Sequence, residues 1–455
     1  MVHLLLCVLL GASPAGAAAF PYPIAKRTLS NGLDVLVIPT PEFKGVVSYN
    51  TLVLAGSRDE AEPGKTGLAH LFEHILFRHR LDGRENGYTE AIDRLGADSN
   101  AWTWFDVTYF HALSLAADLP ELARLEADRF ARFDISEKTF KTEAGAVLGE
   151  FRRDASFPTM RLSERLAAVL FPGHGYGHTT IGSYEDVVDM PNEYAAARGF
   201  YEARYRPESC VLVVAGDVDP EDVFALAEKA YAGWKPGGPA AARPPAAFPA
   251  GPFREDLDWT VDVAPIIWAA WRTPAFVPGT PDAAVGRILD ELLVSPASGP
   301  GRRLRGESRA VRAMDFADGT AGFESAESRA MTVTAQLYAD RWESEGEDYL
   351  SRTADEIVAG VEALARFSER PAAAAELDIL KSKKRYDHLA ELTSPQRIAA
   401  VVAHHYRFGR DLTVFERMDA ALAALRPADV DAFARRWLTP GNRAVFTLAR
   451  RGAKK

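Results

Sequence analysis

Residues 67–77 read Gly-Leu-Ala-His-Leu-Phe-Glu-His-Ile-Leu-Phe, and the interpretation of the whole chain starts from this segment. His70, Glu73 and His74 are spaced at i, i+3 and i+4, which places the three side chains on one face of a helix. Two imidazoles on one face can share a zinc ion, and a carboxylate beside them can accept a proton from a metal-bound water. The segment therefore predicts a helix that carries part of a metal site.

The same helix is predicted to run from about Thr66 to about Arg78. Thr66 is a suitable N-cap, because its hydroxyl can accept a hydrogen bond from a free backbone N–H of the first turn. The apolar residues of the segment recur three and four positions apart and predict a buried face, formed by Leu68, Leu71, Phe72, Ile75 and Leu76.

A catalytic zinc site needs three protein ligands and one open position, so a third ligand must come from another element. Residues 136–153 predict a further helix, capped by Ser136, that carries Glu143 and Glu150. Seven residues are almost two helical turns, so both carboxylates lie on one face. This spacing leaves open which carboxylate binds the metal directly and which one contacts a metal ligand instead.

The composition is typical of a soluble globular protein. The 455 residues are 47% hydrophobic and 25% charged, and the formal net charge is -10. The length predicts two or three domains. An acidic chain without a long basic run does not suit a nucleic-acid-binding surface, so no nucleic-acid partner is expected.

The N-terminus has the pattern of a secretory signal peptide over residues 1–19. A short apolar run, Leu4 to Leu10, is followed by small residues that include the A-x-A type site Ala15-Gly16-Ala17. The run is too short to span a bilayer, so we expect no membrane span in the mature chain and a periplasmic or secreted location. Cys210 alone remains after removal of this segment, which excludes an intrachain disulfide in the mature chain.

The rest of the chain divides at a stretch rich in Pro, Gly and Ala. Residues 236–252 cannot form a core and predict an extended linker. An N-terminal metal-bearing domain is predicted over residues 20–235, and a C-terminal domain of similar size over 253–455. Strands followed by helices recur in both halves, which favours the α+β class, with two similar domains that each have a mostly antiparallel sheet covered by helices.

Several ordered segments resemble one known family. Residues 67–77 are similar to the signature of the pitrilysin-type zinc peptidases (family M16, the inverzincins), which include insulin-degrading enzyme and the mitochondrial processing peptidase. Further matches follow in order and cover roughly residues 28–220: Asn100-Ala101 with Thr103, Asp106 and Thr108; the pair Glu143 and Glu150; residues 171–182; and residues 205–220.

The resemblance implies a role for each residue of the predicted site. His70, His74 and Glu150 resemble the zinc ligands, with one Zn²⁺ per chain. Glu73 resembles the general base that deprotonates the zinc-bound water. Glu143 resembles a catalytic-site carboxylate of the family that does not bind the metal itself but orients His74 or otherwise supports the site. The implied activity is that of a zinc-dependent endopeptidase.

The resemblance also implies how substrate is bound. Asn100 and Ala101 resemble the part of an edge strand that lines the cleft, where family members bind an extended peptide by strand addition. The implied substrates are peptides or unfolded polypeptides. Arg302 and Arg303 are further substrate-binding candidates, because they lie where many family members place an Arg that contacts substrate.

The chain departs from the family where a Tyr stabilises the developing oxyanion. Arg312 aligns with that Tyr, and the only Tyr between Tyr205 and Tyr338 is Tyr231. Two alternatives to a self-sufficient peptidase therefore stay open. The chain is a zinc-bearing subunit of a homo- or heterodimer whose partner supplies the missing Arg and Tyr groups, or it is a non-catalytic peptide-binding scaffold.

Overall fold

The structure is a computed structural model that describes residues 19–60, 62–238, 251–316, 325–327 and 329–451. The predicted signal segment lies outside the described residues except for Ala19, and most of the predicted linker at 236–252 lies outside them as well. Among the described residues, no helix combines the length and the apolar composition needed to cross a bilayer.

Contacts divide the chain into two compact units, and neither unit is one continuous segment. The first takes in Met1–Arg152, Thr179–Arg243 and Leu389–Glu416, and the second Arg153–His178, Pro244–His388 and Arg417–Lys455. The domain boundaries at residues 235 and 253 stay a prediction, because a contact unit is not the same thing as a sequence domain.

Both halves of the described chain contain strands and helices. The strands are β1 (Ala25–Thr28), β2 (Asp34–Pro39), β3 (Val46–Val53), β4 (Asp98–Thr103), β5 (Thr108–Leu115), β6 (Cys210–Gly216), β7 (Phe253–Asp258), β8 (Ile266–Thr273), β9 (Ala313–Phe316), β10 (Arg329–Gln336) and β11 (Arg443–Ala449). The helices are α1 (Leu68–Phe77), α2 (Gly87–Leu95), α3 (Leu119–Ala131), α4 (Glu137–Asp154), α5 (Pro158–Leu170), α6 (Tyr184–Asp189), α7 (Tyr194–Arg204), α8 (Pro220–Ala230), α9 (Pro281–Gly286), α10 (Leu289–Leu293), α11 (Gly299–Gly301), α12 (Ala339–Glu345), α13 (Glu347–Glu362), α14 (Ala373–Glu391), α15 (Pro395–Tyr406), α16 (Val414–Ala424) and α17 (Pro427–Trp437).

The sheet of the first unit has the order β1-β2-β6-β3-β5-β4, and only the β2–β6 pair of these strands is parallel. Asn31-Gly32 forms the predicted turn between β1 and β2, with Gly32 at a φ of 91°. The apolar run of β6 is buried along its whole length, as expected for a strand covered on both faces. Strand β4 lies at the edge of this sheet.

One helix of the first unit comes from far along the chain. Helix α15 packs against β3 and β6 through a buried apolar face. At its end, the Tyr406 hydroxyl donates a hydrogen bond of 2.9 Å to Asp34 of β2. The first sheet therefore depends on a segment that follows most of the second unit in sequence.

The sheet of the second unit has the order β7-β11-β8-β10-β9, and among these strands β7 and β11 form the parallel pair. Trp271 of β8 is fully buried in a core to which α10, α13 and α17 contribute. Both described sheets are thus mostly antiparallel and covered by helices, which confirms the predicted α+β class.

Helix α1 has the predicted buried face, but its predicted cap is wrong. Leu71, Phe72 and Ile75 are fully buried. The N-cap is Gly67 rather than Thr66. The Thr66 hydroxyl instead donates a hydrogen bond of 2.6 Å to Asp186. Position 66 therefore ties the loop before α1 to helix α6.

Helix α3 carries two Glu–Arg pairs of the same spacing in opposite environments. Arg129 Nη2 donates a hydrogen bond of 2.7 Å to Glu126, and both side chains are essentially inaccessible. Tyr88 also donates a hydrogen bond to Glu126, and the Arg129 guanidinium lies 4.3 Å from the Tyr88 ring centroid. The pair of Glu121 and Arg124 has about half of each side chain exposed.

These two pairs predict very different effects of the same substitution. Glu126→Gln leaves the Arg129 charge buried without its counterion and should lower the free energy of unfolding by about 3–5 kcal/mol. Glu121→Gln breaks a solvated pair and should lower it by less than about 1 kcal/mol. Urea unfolding of both variants beside the unsubstituted chain measures the difference. Equal losses in the two variants would contradict this account.

Candidate metal centre

Three predicted ligands from two helices converge at one point of the first unit. His70 Nε2 lies 3.6 Å from Glu150 Oε2, and His74 Nε2 lies 3.7 Å from the same oxygen. One ligand atom from each of the three side chains can be chosen so that all lie within 4.8 Å of one another. Among the described residues, this is the cluster of His, Cys and carboxylate groups that could hold a metal ion.

The positions of these ligands follow from how α1 and α4 are packed. The apolar face of α1 is buried, so His70, Glu73 and His74 lie together on the remaining half-buried side. Helix α4 buries Phe140, Ala144 and Val147, and Ser136 caps it as predicted, with its hydroxyl accepting a hydrogen bond of 3.1 Å from the Thr139 N–H. This orientation presents Glu143 and Glu150 toward α1.

The donor set and its spacing suit zinc. Two imidazole nitrogens and one carboxylate oxygen are a common set for catalytic zinc, which keeps a fourth position open. A tetrahedral ion with bonds of about 2.0–2.1 Å separates its ligand atoms by roughly 3.3 Å. The measured separations from Glu150 Oε2 exceed this value by only a few tenths of an ångström. The donor set and these separations therefore suit one zinc ion.

Glu73 is positioned beside the ligands by the edge strand. The Thr103 hydroxyl of β4 donates a hydrogen bond of 2.8 Å to Glu73 Oε2. Burial raises the pKa of Glu73 above its ordinary value, and the Thr103 hydrogen bond and the His74 charge offset only part of this effect. A carboxylate with a raised pKa is a stronger base than a solvated one, which suits proton abstraction.

Glu143 lies behind His74 and is held from two sides. Its Oε2 lies 3.6 Å from His74 Nδ1, while Arg78 Nε donates a hydrogen bond of 2.9 Å to its Oε1. Burial raises the pKa of Glu143, but His74 and Arg78 outweigh burial, so the net pKa is lowered. The ionised carboxylate favours the His74 tautomer that has Nδ1 protonated and Nε2 free to face the metal position.

The other predicted residues lie on separate elements. Asn100 and Ala101 are on β4, the edge strand that also carries Thr103. Arg302 and Arg303 lie in the second unit, exposed on a π-helical turn, with Arg302 Nε 3.4 Å from Glu307. Their role in binding substrate stays a prediction.

The contacts of Thr103 with Glu73 and of Arg78 with Glu143 cannot be predicted from local sequence. Thr103 was part of the resemblance, but its hydrogen bond to Glu73 depends on the packing of β4 against α1. Arg78 ends α1 one turn beyond His74, and this i, i+4 spacing is the one signal that could have indicated a role beside the site.

Two family models match consecutive parts of the chain. Residues 37–183 match the model described as "Insulinase (Peptidase family M16)", and residues 193–317 match the one described as "Peptidase M16 inactive domain". The chain belongs to peptidase family M16. The matched segment 37–183 contains both helices of the metal centre, and the family resemblance predicted from the ordered segments of the sequence is thereby confirmed.

The chain is also similar in sequence to curated zinc proteases and in fold to solved protease structures. The chain is 30% identical over 227 residues to the zinc protease PqqE of Helicobacter pylori, a match that covers 50% of each protein. The chain thus spans about half the length of the curated relatives it matches. A protease structure from Helicobacter pylori has a TM-score of 0.79 at 23% identity and covers 94% of this chain and 99% of that one. The structure of the periplasmic protease PqqL from Escherichia coli has a TM-score of 0.72 at 18% identity, and the match covers 95% of this chain and 48% of that one.

The surroundings of His74 predict a pH dependence of the metal-free chain. Burial lowers the pKa of His74, but the nearby carboxylates, Glu143 first among them, raise it above 6.5. A raised pKa in the folded state contributes stability that is fully present below the unfolded-state pKa and is lost as pH rises through the folded-state pKa. Glu143→Gln removes the largest of the raising effects and should abolish most of this contribution.

Urea unfolding of the metal-free chain and of Glu143→Gln at several pH values tests this expectation. The difference in unfolding free energy between the two should decrease as pH rises from below 6.5 through the raised pKa of His74. Glu143 itself has a lowered pKa and stays ionised across this range, so its own titration does not contribute. A difference that is constant across this range would contradict the account.

Proposed function

We propose that this chain is a zinc-dependent endopeptidase that hydrolyses peptides or unfolded polypeptides. The observation that carries the proposal is the convergence of His70, His74 and Glu150 beside Glu73, a half-buried carboxylate with a raised pKa. Membership of family M16 and the zinc protease relatives support the same activity.

His70, His74 and Glu150 would hold one Zn²⁺ per chain. When bound, this ion supplies Lewis-acid chemistry, which polarises a carbonyl and lowers the pKa of a coordinated water. The Glu73 carboxylate would accept one proton from the attacking water and later pass it to the leaving amine. The hydrogen bond from the Thr103 hydroxyl restrains the Glu73 carboxylate.

An extended peptide would bind along β4. Among the described strands β4 pairs only with β5, so its other edge can accept a further strand. Asn100 is exposed on this edge strand and Ala101 is buried beside it, with the Ala101 N–H bonded to Asn100 Oδ1 at 2.8 Å. A folded protein keeps most of its extended segments paired within its own sheets, so peptides and unfolded chains are the expected substrates.

A second candidate is a zinc-bearing subunit that is active only with a partner, another copy of this chain or a different peptidase-like chain. The observation that favours it is Arg312 at the position where the family has its oxyanion-side Tyr. A third possibility, a peptide-binding scaffold, gives no role to Glu73. We further infer export to a periplasm-like compartment from the signal-like residues 1–19, in line with the periplasmic location named for the Escherichia coli neighbour.

Substitution of the proposed base separates a peptidase from a scaffold. Glu73→Gln should lower turnover of a quenched-peptide library by at least about 10²–10⁴-fold, because the neutral amide cannot accept the proton. Zinc content should stay near one per chain, since Glu73 is not a ligand. Glu150→Gln should lose zinc as well as turnover, and the exposed Glu137→Gln should lose neither. Unchanged turnover in the Glu73→Gln variant would contradict the proposed mechanism.

The concentration dependence of activity separates a self-sufficient chain from a subunit. The zinc-loaded chain alone should cleave the library with a specific activity that does not change with chain concentration. Specific activity that rises with concentration would indicate a homodimer. Zinc near one per chain with no cleavage at any concentration would instead support a missing partner chain that supplies the oxyanion-side groups.

A further inference from the structure

Helix α1 begins without a capping side chain of its own. Its N-cap is Gly67, whose φ is 89°, and the first turn contains no acidic residue. A Cβ at position 67 would lie only 2.5 Å from the backbone oxygen of Ile181. The usual N-cap residues Ser, Thr, Asp and Asn therefore do not fit there, and the first N–H groups of α1 need an acceptor from elsewhere.

Glu60 supplies that acceptor from the preceding turn. Its Oε2 accepts a hydrogen bond of 2.7 Å from the Gly67 N–H, and its Oε1 accepts one of 2.7 Å from the Ala69 N–H. The side chain is buried, with the residue 6% exposed. Burial raises the pKa of Glu60 well above its ordinary value, and the hydrogen bonds from the Ala69 and Gly67 N–H groups counteract part of this rise.

The turn that carries Glu60 is itself anchored by buried charges. Asp59 accepts a hydrogen bond of 3.1 Å from the Gly56 N–H and lies 3.3 Å from Arg204 Nη1 of α7. Arg58 Nε lies 2.9 Å from Asp106, in the loop between β4 and β5. Because both neighbours are fixed to other elements, the Glu60 carboxylate is a fixed point against which α1 is placed.

We propose that Glu60 is a positioning residue for the metal centre: it holds the backbone on either side of Leu68 and so sets the place of His70 Nε2 opposite Glu150. Ala69 directly precedes His70. Loss of the hydrogen bond between the Ala69 N–H and Glu60 should therefore displace His70 more than it displaces His74, which lies one turn further along. The inference rests on the proposed function, since the distance it controls is that between two proposed zinc ligands.

The test compares Glu60→Gln with a matched control. The glutamine has the same shape, but its amide group replaces one acceptor by a donor and faces a backbone N–H. Zinc affinity, measured by competition with a chromogenic chelator, should fall by about tenfold to a hundredfold. At saturating zinc, kcat for the peptide library should fall while KM stays unchanged. Glu62→Gln, an exposed carboxylate of the same loop, should change neither quantity.

Hydrogen exchange gives a readout that is independent of metal and activity. The amides of residues 67–70 should exchange faster in metal-free Glu60→Gln than in the unsubstituted chain, while those near the end of α1 should be unchanged. Glu60→Asp keeps the charge and shortens the reach by one methylene, so it should give a smaller loss in the same direction. It replaces the glutamine variant if that protein does not fold.

The outcomes distinguish this inference from the proposed function. A folded Glu60 variant with unchanged zinc affinity and kcat would show that Glu60 has only a structural role, whatever the thermal stability of the variant. This result would overturn the inference about Glu60 and leave the proposed function standing. An unsubstituted chain that binds zinc without cleaving peptides would contradict the proposed activity. The zinc affinity of the Glu60 variants relative to that chain would then decide the role of Glu60. An unsubstituted chain that binds no zinc would overturn both.

Discussion

The rotation of α1 about its own axis is the constraint on which the metal centre depends. Leu71, Phe72 and Ile75 are fully buried, and Phe72 alone lies against the rings of four aromatic residues: Phe133, Phe200, Tyr201 and Tyr205. A rotation of the helix would expose this face to water, which is opposed by about 25 cal/mol for each Å² of apolar surface. Packing therefore determines where the polar face points, and the chemistry of the site follows from it.

Buried charge has a distinct role in the first unit. Charged and acidic side chains are unfavourable in a protein interior unless they are paired or hydrogen-bonded. Glu126 is paired with Arg129, Asp106 with Arg58, and Glu60 with two backbone N–H groups. The Arg58 and Glu60 contacts connect α1, the turn before it and the loop between β4 and β5, whereas the Glu126–Arg129 pair lies within α3. The metal centre thus lies among elements whose relative places are fixed by polar contacts.

Short-range features of the fold could be predicted from the sequence, and long-range ones could not. The periodicity of residues 67–77 identified α1 and its buried face, and the spacing of Glu143 and Glu150 identified the helix opposite. The N-cap at Thr66 was predicted from residue type alone, and it was wrong because Asp186, far along the chain, competes for that hydroxyl. Thr103 and Glu60 reach the site only through tertiary packing, which no local pattern encodes.

The place of α15 in the first unit has a consequence for synthesis of the protein. Tyr406 and Asp34, joined by a hydrogen bond, are 372 residues apart in sequence. At about 5–20 residues per second, the ribosome takes on the order of 20 to 70 seconds to cover that distance. During this interval β3 and β6 lack the helix that covers them, so the first unit cannot reach its final packing. The nascent chain thus stays incompletely folded while most of it is made, which is the state in which a polypeptide is most readily threaded through a narrow pore.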